Sequence, residues 1–243
     1  MDEKGCIKMN STIDDIIRNA KEAASVWSRF INKLDTRIDP NAFRSYFHLR
    51  PTSSGITIVT TSPYAPMRGL RVPAAELESV LQKIVNSYDS LASTGRETVR
   101  ERFAGLGFKS RSSESVREEN IQARMIRGMI LQRPQYENIQ FVASELTIKR
   151  EHRFDIVGIK DGVLYIFEMK NIRSTKALNQ AGRYLDHISE REKDFKALLQ
   201  EYPGGPFAFS KVQGISVGPF AENTSLRGYS DYWLFEDGLD FYK

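Results

Sequence analysis

The chain has 243 residues, with 35 Lys and Arg against 31 Asp and Glu, a net charge of +4 and a pI near 9.1. That length allows one large or two small domains with ample core, and the charge balance suits a nucleic-acid partner without requiring one. Cys6 stands alone, which excludes a disulfide framework and fits a reducing cytoplasm; the three histidines lack zinc-ligand spacing, and no membrane-length apolar run or signal-peptide core is present.

In chain order, Ile13, Ile16, Ile17, Ala20, Ala24, Trp27 and Ile31 recur at helical steps, predicting a helix over 12–35 capped by Ser11 or Thr12. Pro40 interrupts. Residues 43–50 and 55–61 read as two strands joined by Thr52-Ser53-Ser54-Gly55, and Pro63 to Pro73 as a connection carrying Arg68 and Arg71. Leu77, Val80, Leu81, Ile84 and Tyr88 predict a helix over 74–91. Residues 1–92 thus make a small αββα domain, with Trp27 and Tyr88 expected in its core. Residues 93–112, punctuated by Gly95, Gly105 and Gly107, read as a linker with a short helix at 96–104.

The second domain, 113–243, opens with a helix over 113–132 that Pro134 stops. A strand pair or bent strand follows at 139–149, then two apolar β-rich runs around Asp161-Gly162, a helix over 175–201, a break at Pro203-Gly204-Gly205, and strands near 207–219 and 231–242. The order is αβββαβ, a mixed sheet of the α/β or α+β class.

Asp161-Gly162 between two such runs is a strong hairpin signal. With those residues as the turn, Lys160 faces Val163, Asp155 falls opposite Glu168, and Arg153 opposite Lys170. Like charges directly opposite each other destabilise a sheet. Glu168 also ends a run of five apolar or aromatic residues, where a carboxylate is expensive to bury. Acid facing acid with a cation alongside is a poor hairpin but a good divalent-metal site.

Asp155 followed by Glu168-Met169-Lys170 resembles the PD-(D/E)xK, or restriction-endonuclease-like, nuclease superfamily, although Phe154 stands where the motif has Pro. Gln180-Ala181-Gly182-Arg183-Tyr184 is similar to that superfamily's Gln-x-x-x-Tyr element. Together with the late strand Val212–Val217, it makes 114–240 resemble the NucS/EndoMS mismatch-endonuclease catalytic domain. The Asp/Glu-x-Lys spacing equally suits archaeal Holliday-junction resolvases. The resemblance covers roughly the C-terminal half; residues 1–92 do not look like the NucS N-terminal domain, so mismatch specificity does not carry over.

The resemblance implies that Asp155, Glu168 and the Met169 carbonyl hold Mg²⁺, with Mn²⁺ as a substitute, and that Lys170 assists the attacking water or the transition state. It also implies a helix Glu. Glu118 shares a helical face with Ile121, Met125 and Met129 and takes that role, unless it only favours the start of the helix dipole. Gln180 would reach a metal-bound water or a phosphate. Tyr184 would buttress the site or contact DNA, although by periodicity alone it is a core-edge aromatic, and His187 reads as surface or supporting. Leu178, Ala181, Leu185, Ile188, Phe195 and Leu199 make the expected core face of that helix. Arg124, Arg173, Lys176 and Arg183 flank the acids and are candidate DNA contacts. The reading is a Mg²⁺-dependent DNA endonuclease of repair, recombination or defence. An exonuclease and a non-catalytic DNA-binding module are the alternatives, and a homodimer is possible by analogy.

Overall fold

The computed structural model describes residues 4–61, 67–87, 96–110, 116–149, 152–169, 176–218 and 229–234. The chain is a mixed α/β protein whose elements fall into two units: Met1–Val116 with Ala197–Pro206, and Arg117–Lys196 with Phe207–Lys243. No helix among the described residues is long and apolar enough to cross a membrane.

The first unit begins with α1 (Lys4–Asn32). Of its predicted stripe, Ile13, Ile16, Ala20, Trp27 and Ile31 are buried, whereas Ile17 and Ala24 are half-buried and Ala23 and Phe30 take the core positions beside them. The helix starts earlier than the expected cap, so Ser11 and Thr12 lie inside it. A second helix, α2 (Pro40–Tyr46), occupies the first part of what reads as a strand. Asp39 explains it: its side chain accepts from the Asn41 N–H, and Pro40 supplies the preset φ at the first helical position.

Strands β1 (Phe47–Thr52) and β2 (Gly55–Thr60) pair antiparallel without interruption, and β4 (Leu70–Val72) adds to β2. The short β3 (Met67–Arg68) lies within the expected connection and pairs with β5 (Lys109–Ser110). A 3₁₀ turn (Ala74–Glu76) leads into α3 (Leu77–Asn86), and α4 (Arg96–Gly105) precedes β5. Phe43, Phe47, Leu49, Ile56, Ile58, Leu77, Leu81 and Ile84 form one core with Phe103 and Phe108. The stretch that reads as a linker therefore contributes two aromatic side chains to this core, because α4 and the turn after it carry large apolar groups that need burial. Tyr88 lies outside the described residues.

The second unit is a five-stranded mixed sheet of order β10-β9-β8-β7-β6, built from β6 (Gln140–Lys149), β7 (His152–Lys160), β8 (Val163–Met169), β9 (Lys211–Gly218) and β10 (Tyr229–Leu234). Helix α5 (Val116–Ile130) precedes it. Its Met125, Ile126 and Met129 pack with Ile156, Phe167, Met169, Ile215 and Val217. Gly128 is required there, since a Cβ would meet the Tyr136 ring at 2.3 Å. Strand alternation sends Leu164, Ile166 and Glu168 to the other side of β8.

The predicted helix over 175–201 is two helices, α6 (Lys176–Glu190) and α7 (Glu192–Gln200), broken at Arg191, whose side chain bonds Asp194 at 2.9 Å. Its buried face includes Tyr184 and His187, while Leu185 is only half-buried. Aromatic packing decides this phase: Phe154 meets Tyr184 edge-on at 4.8 Å, and His187 meets Phe195 edge-on at 6.0 Å. His187 is thus buried rather than on the surface. Leu178 and Ala181 lie outside the described side chains.

Candidate active site

The β7–β8 hairpin places the two acids. Asp161 and Gly162 both have positive φ, 51° and 73°, as the Asp-Gly turn requires. The Gly162 carbonyl also accepts from Ser210 N at 2.9 Å, tying the turn to the approach to β9. The ladder runs from Lys160↔Val163 to Ile156↔Phe167. Carried one residue further, this register sets Asp155 across from Glu168. At that step a side chain takes over from the main chain, and Met169 N donates to Asp155 Oδ2 at 2.9 Å. On its other side, β8 pairs parallel with β9, with Glu168 against Ser216.

Both acids are enclosed: Asp155 is 8% exposed and Glu168 is 0% exposed. A third carboxylate stands in the same row. Ser144↔Ile156 and Leu146↔Phe154 bracket the position across from Asp155, and Glu145 occupies it. Glu145 has a φ of 48°, a left-handed backbone inside the single strand β6 that stands where a strand pair or bent strand was expected. Its side chain is 11% exposed, and Oε1 lies 3.7 Å from Arg153 Nη1. The sequence carried the same signal here as at Glu168, a carboxylate within an apolar β-rich run.

Supports converge on β7 from both helices. From α5, Gln122 Nε2 donates to the Asp155 carbonyl at 2.7 Å. From α6, the Tyr184 hydroxyl donates to the Arg153 carbonyl at 2.8 Å, and Gln180 Nε2 donates to the Tyr184 oxygen. Burial, and then the negative charge of Glu168 and Asp155, push the Tyr184 phenol up to about 12, although the Gln180 bond opposes this. Tyr184 therefore stays a neutral donor. At 2% exposure it is closed off from a nucleic-acid backbone, so its place is beneath the site and not among DNA contacts. Gln180 is engaged with Tyr184 through its amide nitrogen.

Of the remaining sequence candidates, Arg183 is exposed on α6 and Arg124 is half-buried on α5. Lys170 and Arg173 lie outside the described residues, as do the side chains of Glu118 and Lys176. Gln122, Glu145 and Arg153 were not singled out as site residues; Gln122 carried no signal, because a polar residue on a helix is ordinarily solvated.

Two neighbouring carboxylates are hard oxygen donors of the number that Mg²⁺ takes from protein. Side by side and buried, they repel, and a divalent cation relieves that repulsion. The donor chemistry thus fits Mg²⁺ or Mn²⁺. Among the described residues no group of three His, Cys, Asp or Glu side chains is close enough to hold a metal together.

No protein-family model matches the chain, and no curated protein matches it. Among solved structures, a repair endonuclease from Pyrococcus abyssi matches with 24% identity and a TM-score of 0.26, over 47% of this chain and 41% of that one. The match spans about two-fifths of that protein's length.

Proposed function

We propose that this chain is a Mg²⁺-dependent deoxyribonuclease that hydrolyses phosphodiester bonds within DNA, acting in repair, recombination or defence. The observation that carries the reading is the buried Asp155–Glu168 row at the open end of the β7–β8 hairpin, where the ladder gives way to a bond from Met169 N to Asp155.

Asp155 and Glu168 would hold the ion, with the Met169 carbonyl as a further oxygen donor. The ion, when bound, supplies Lewis acidity toward the phosphate and a lower pKa for a bound water. The Met169 N–H fixes Asp155 Oδ2 and so orients that carboxylate. Tyr184 and Gln122 hold the β7 backbone on either side of Asp155. Lys170 and Glu118 complete the reading, Lys170 by meeting charge that develops on the phosphate and Glu118 by orienting water.

The test is a panel of plasmid, linear, single-stranded, flap, junction and mismatch DNA with Mg²⁺, Mn²⁺ or EDTA. Cleavage that includes covalently closed circles and stops in EDTA is the expected result. Degradation of linear DNA alone would make the protein an exonuclease. Binding without cleavage would make it a non-catalytic module, and full activity in EDTA overturns the metal reading.

A further inference from the structure

The cations of the first unit are arranged in two ways. Some are compensated: Arg18 lies 2.7 Å from Asp15, Arg29 lies 3.6 Å from Glu78, and Arg37, in the turn between α1 and α2, lies 2.7 Å from Asp35. At the β3–β5 ladder they are not. Arg68 stands directly opposite Lys109, base facing base, and both are exposed. Arg71 is exposed three residues further, on β4. None of these three pairs with a carboxylate among the described residues. The sequence removes the obvious candidates, since no Asp or Glu occurs between Asp39 and Glu76.

A like-charge pair directly opposite in an antiparallel ladder destabilises it by roughly 0.2–1 kcal/mol. In the same unit Arg18, Arg29 and Arg37 each meet an acid, on the same helix, on a facing helix or two residues away. Facing residues are about 5 Å apart and share a face of the ladder, so Arg68 and Lys109 are held within reach of one polyanion strand, with Arg71 following on β4. Each strand of a duplex carries one phosphate charge per ~3.4 Å, a row of anions long enough to meet several such cations at once.

We propose that this ladder is a phosphate-contact surface for double-stranded DNA, which makes the first unit a DNA-holding unit separate from the acid row of the second. Arg68, Arg71 and Lys109 contact the backbone and contribute affinity without reading sequence.

The experiment is fluorescence anisotropy of the full chain with a labelled duplex in EDTA, over a salt series. The Arg68→Glu/Lys109→Glu double variant should weaken binding at least roughly tenfold at low salt. It should also flatten the slope of log K against log salt by about 2, at ~0.9 per lost contact, and adding Arg71→Glu by about 1 more. Arg18→Glu, on the compensated helix, should leave the slope unmoved. An Arg68→Gln/Lys109→Gln variant guards against misfolding: it should keep or raise the unfolding midpoint and still flatten the slope.

An unchanged slope in both double variants overturns the proposal, as does equal flattening by Arg18→Glu, which would report net charge only. Loss of binding to phosphatidylserine vesicles with the duplex slope intact also overturns it, in favour of a membrane. Because binding in EDTA needs no hydrolysis, a protein that never cuts DNA leaves this surface standing. A protein that cuts normally with an unmoved slope defeats it alone.

Discussion

The β1–β2 hairpin of the first unit and the β7–β8 hairpin of the second obey different rules. In β1–β2, six pairs run without a break from Phe47↔Thr60 to Thr52↔Gly55, and no pair sets like charges opposite each other. In β7–β8, the ladder stops at Ile156↔Phe167, and the next row is two acids. Both hairpins bury an ionisable group, but in opposite senses. His48 is buried as a base held well below its usual range, at about 3, by desolvation and then by Arg50. The second hairpin instead gathers carboxylates, which suits a bound cation. The first hairpin is built for cohesion; the second gives up pairing where its acids meet, which is where the proposed metal site falls.

The comparison breaks most visibly in catalysis. Glu168→Ala and Lys170→Ala should each lower DNA cleavage by at least roughly a hundredfold, the scale of losing one preorganised electrostatic group. Full cleavage by both variants in a metal-dependent assay would leave the β7–β8 hairpin as an ordinary one.

Next in size is the response to metal. At a hundred times the dissociation constant, Mg²⁺ should stabilise the protein by about 2.7 kcal/mol. Asp155→Asn should lose most of that shift while matching or exceeding wild-type stability without metal, by up to roughly 1 kcal/mol. Unfolding midpoints of both proteins, with and without Mg²⁺, measure it. A variant that is weaker without metal yet keeps the full shift would make Asp155 a structural carboxylate.

The first hairpin should instead be sensitive to acid. His48 is neutral when folded down to about pH 3, whereas the unfolded chain takes up its proton near 6.5. The unfolded state therefore binds more protons between those values, and stability falls as pH falls through that window. At pH 5 the loss is about 2 kcal/mol. His48→Asn should remove that part of the slope, and denaturant melts at pH 7 and pH 5 would show it. Identical slopes in both proteins would mean that His48 is protonated in the fold.

The smallest effect sharpens the account of the support beneath the acids. Tyr184→Phe deletes the hydroxyl that donates to the Arg153 carbonyl. It should cost about 1 kcal/mol of stability and slow cleavage severalfold with little change in DNA affinity. A drop in affinity with an unchanged rate would put Tyr184 on the DNA after all.

What was legible in the sequence was local. Asp161-Gly162 determined the turn, and a two-residue turn determines every pair that follows it, so the row containing Asp155 and Glu168 could be counted out. The stripe Ile121, Met125 and Met129 was equally readable, because a single helix face meets a single sheet. Features that depend on distant partners were hidden. The break at Arg191 has no Gly or Pro to announce it. Tyr184 and His187 turn inward because Phe154 and Phe195 wait for them, and neither ring is near in sequence. Asp39-Pro40 was a readable helix start, obscured by the β-like run that follows. The row position of Glu145 follows from register shifts on either side of it, which no periodicity reveals.

Residues 197–206 belong to the first unit although 117–196 separate them from the rest of it. They bring Leu198, Leu199 and Tyr202, all buried, and Arg50 acts on the Tyr202 phenol. On a ribosome, the first unit therefore emerges unfinished. At ~5–20 residues per second, its missing piece arrives on the order of ten seconds later, after the whole acid-bearing hairpin has been made. Expression of residues 1–116 alone would leave that piece out, and supplying 197–206 as a separate peptide is the natural way to ask how much of the unit waits for it.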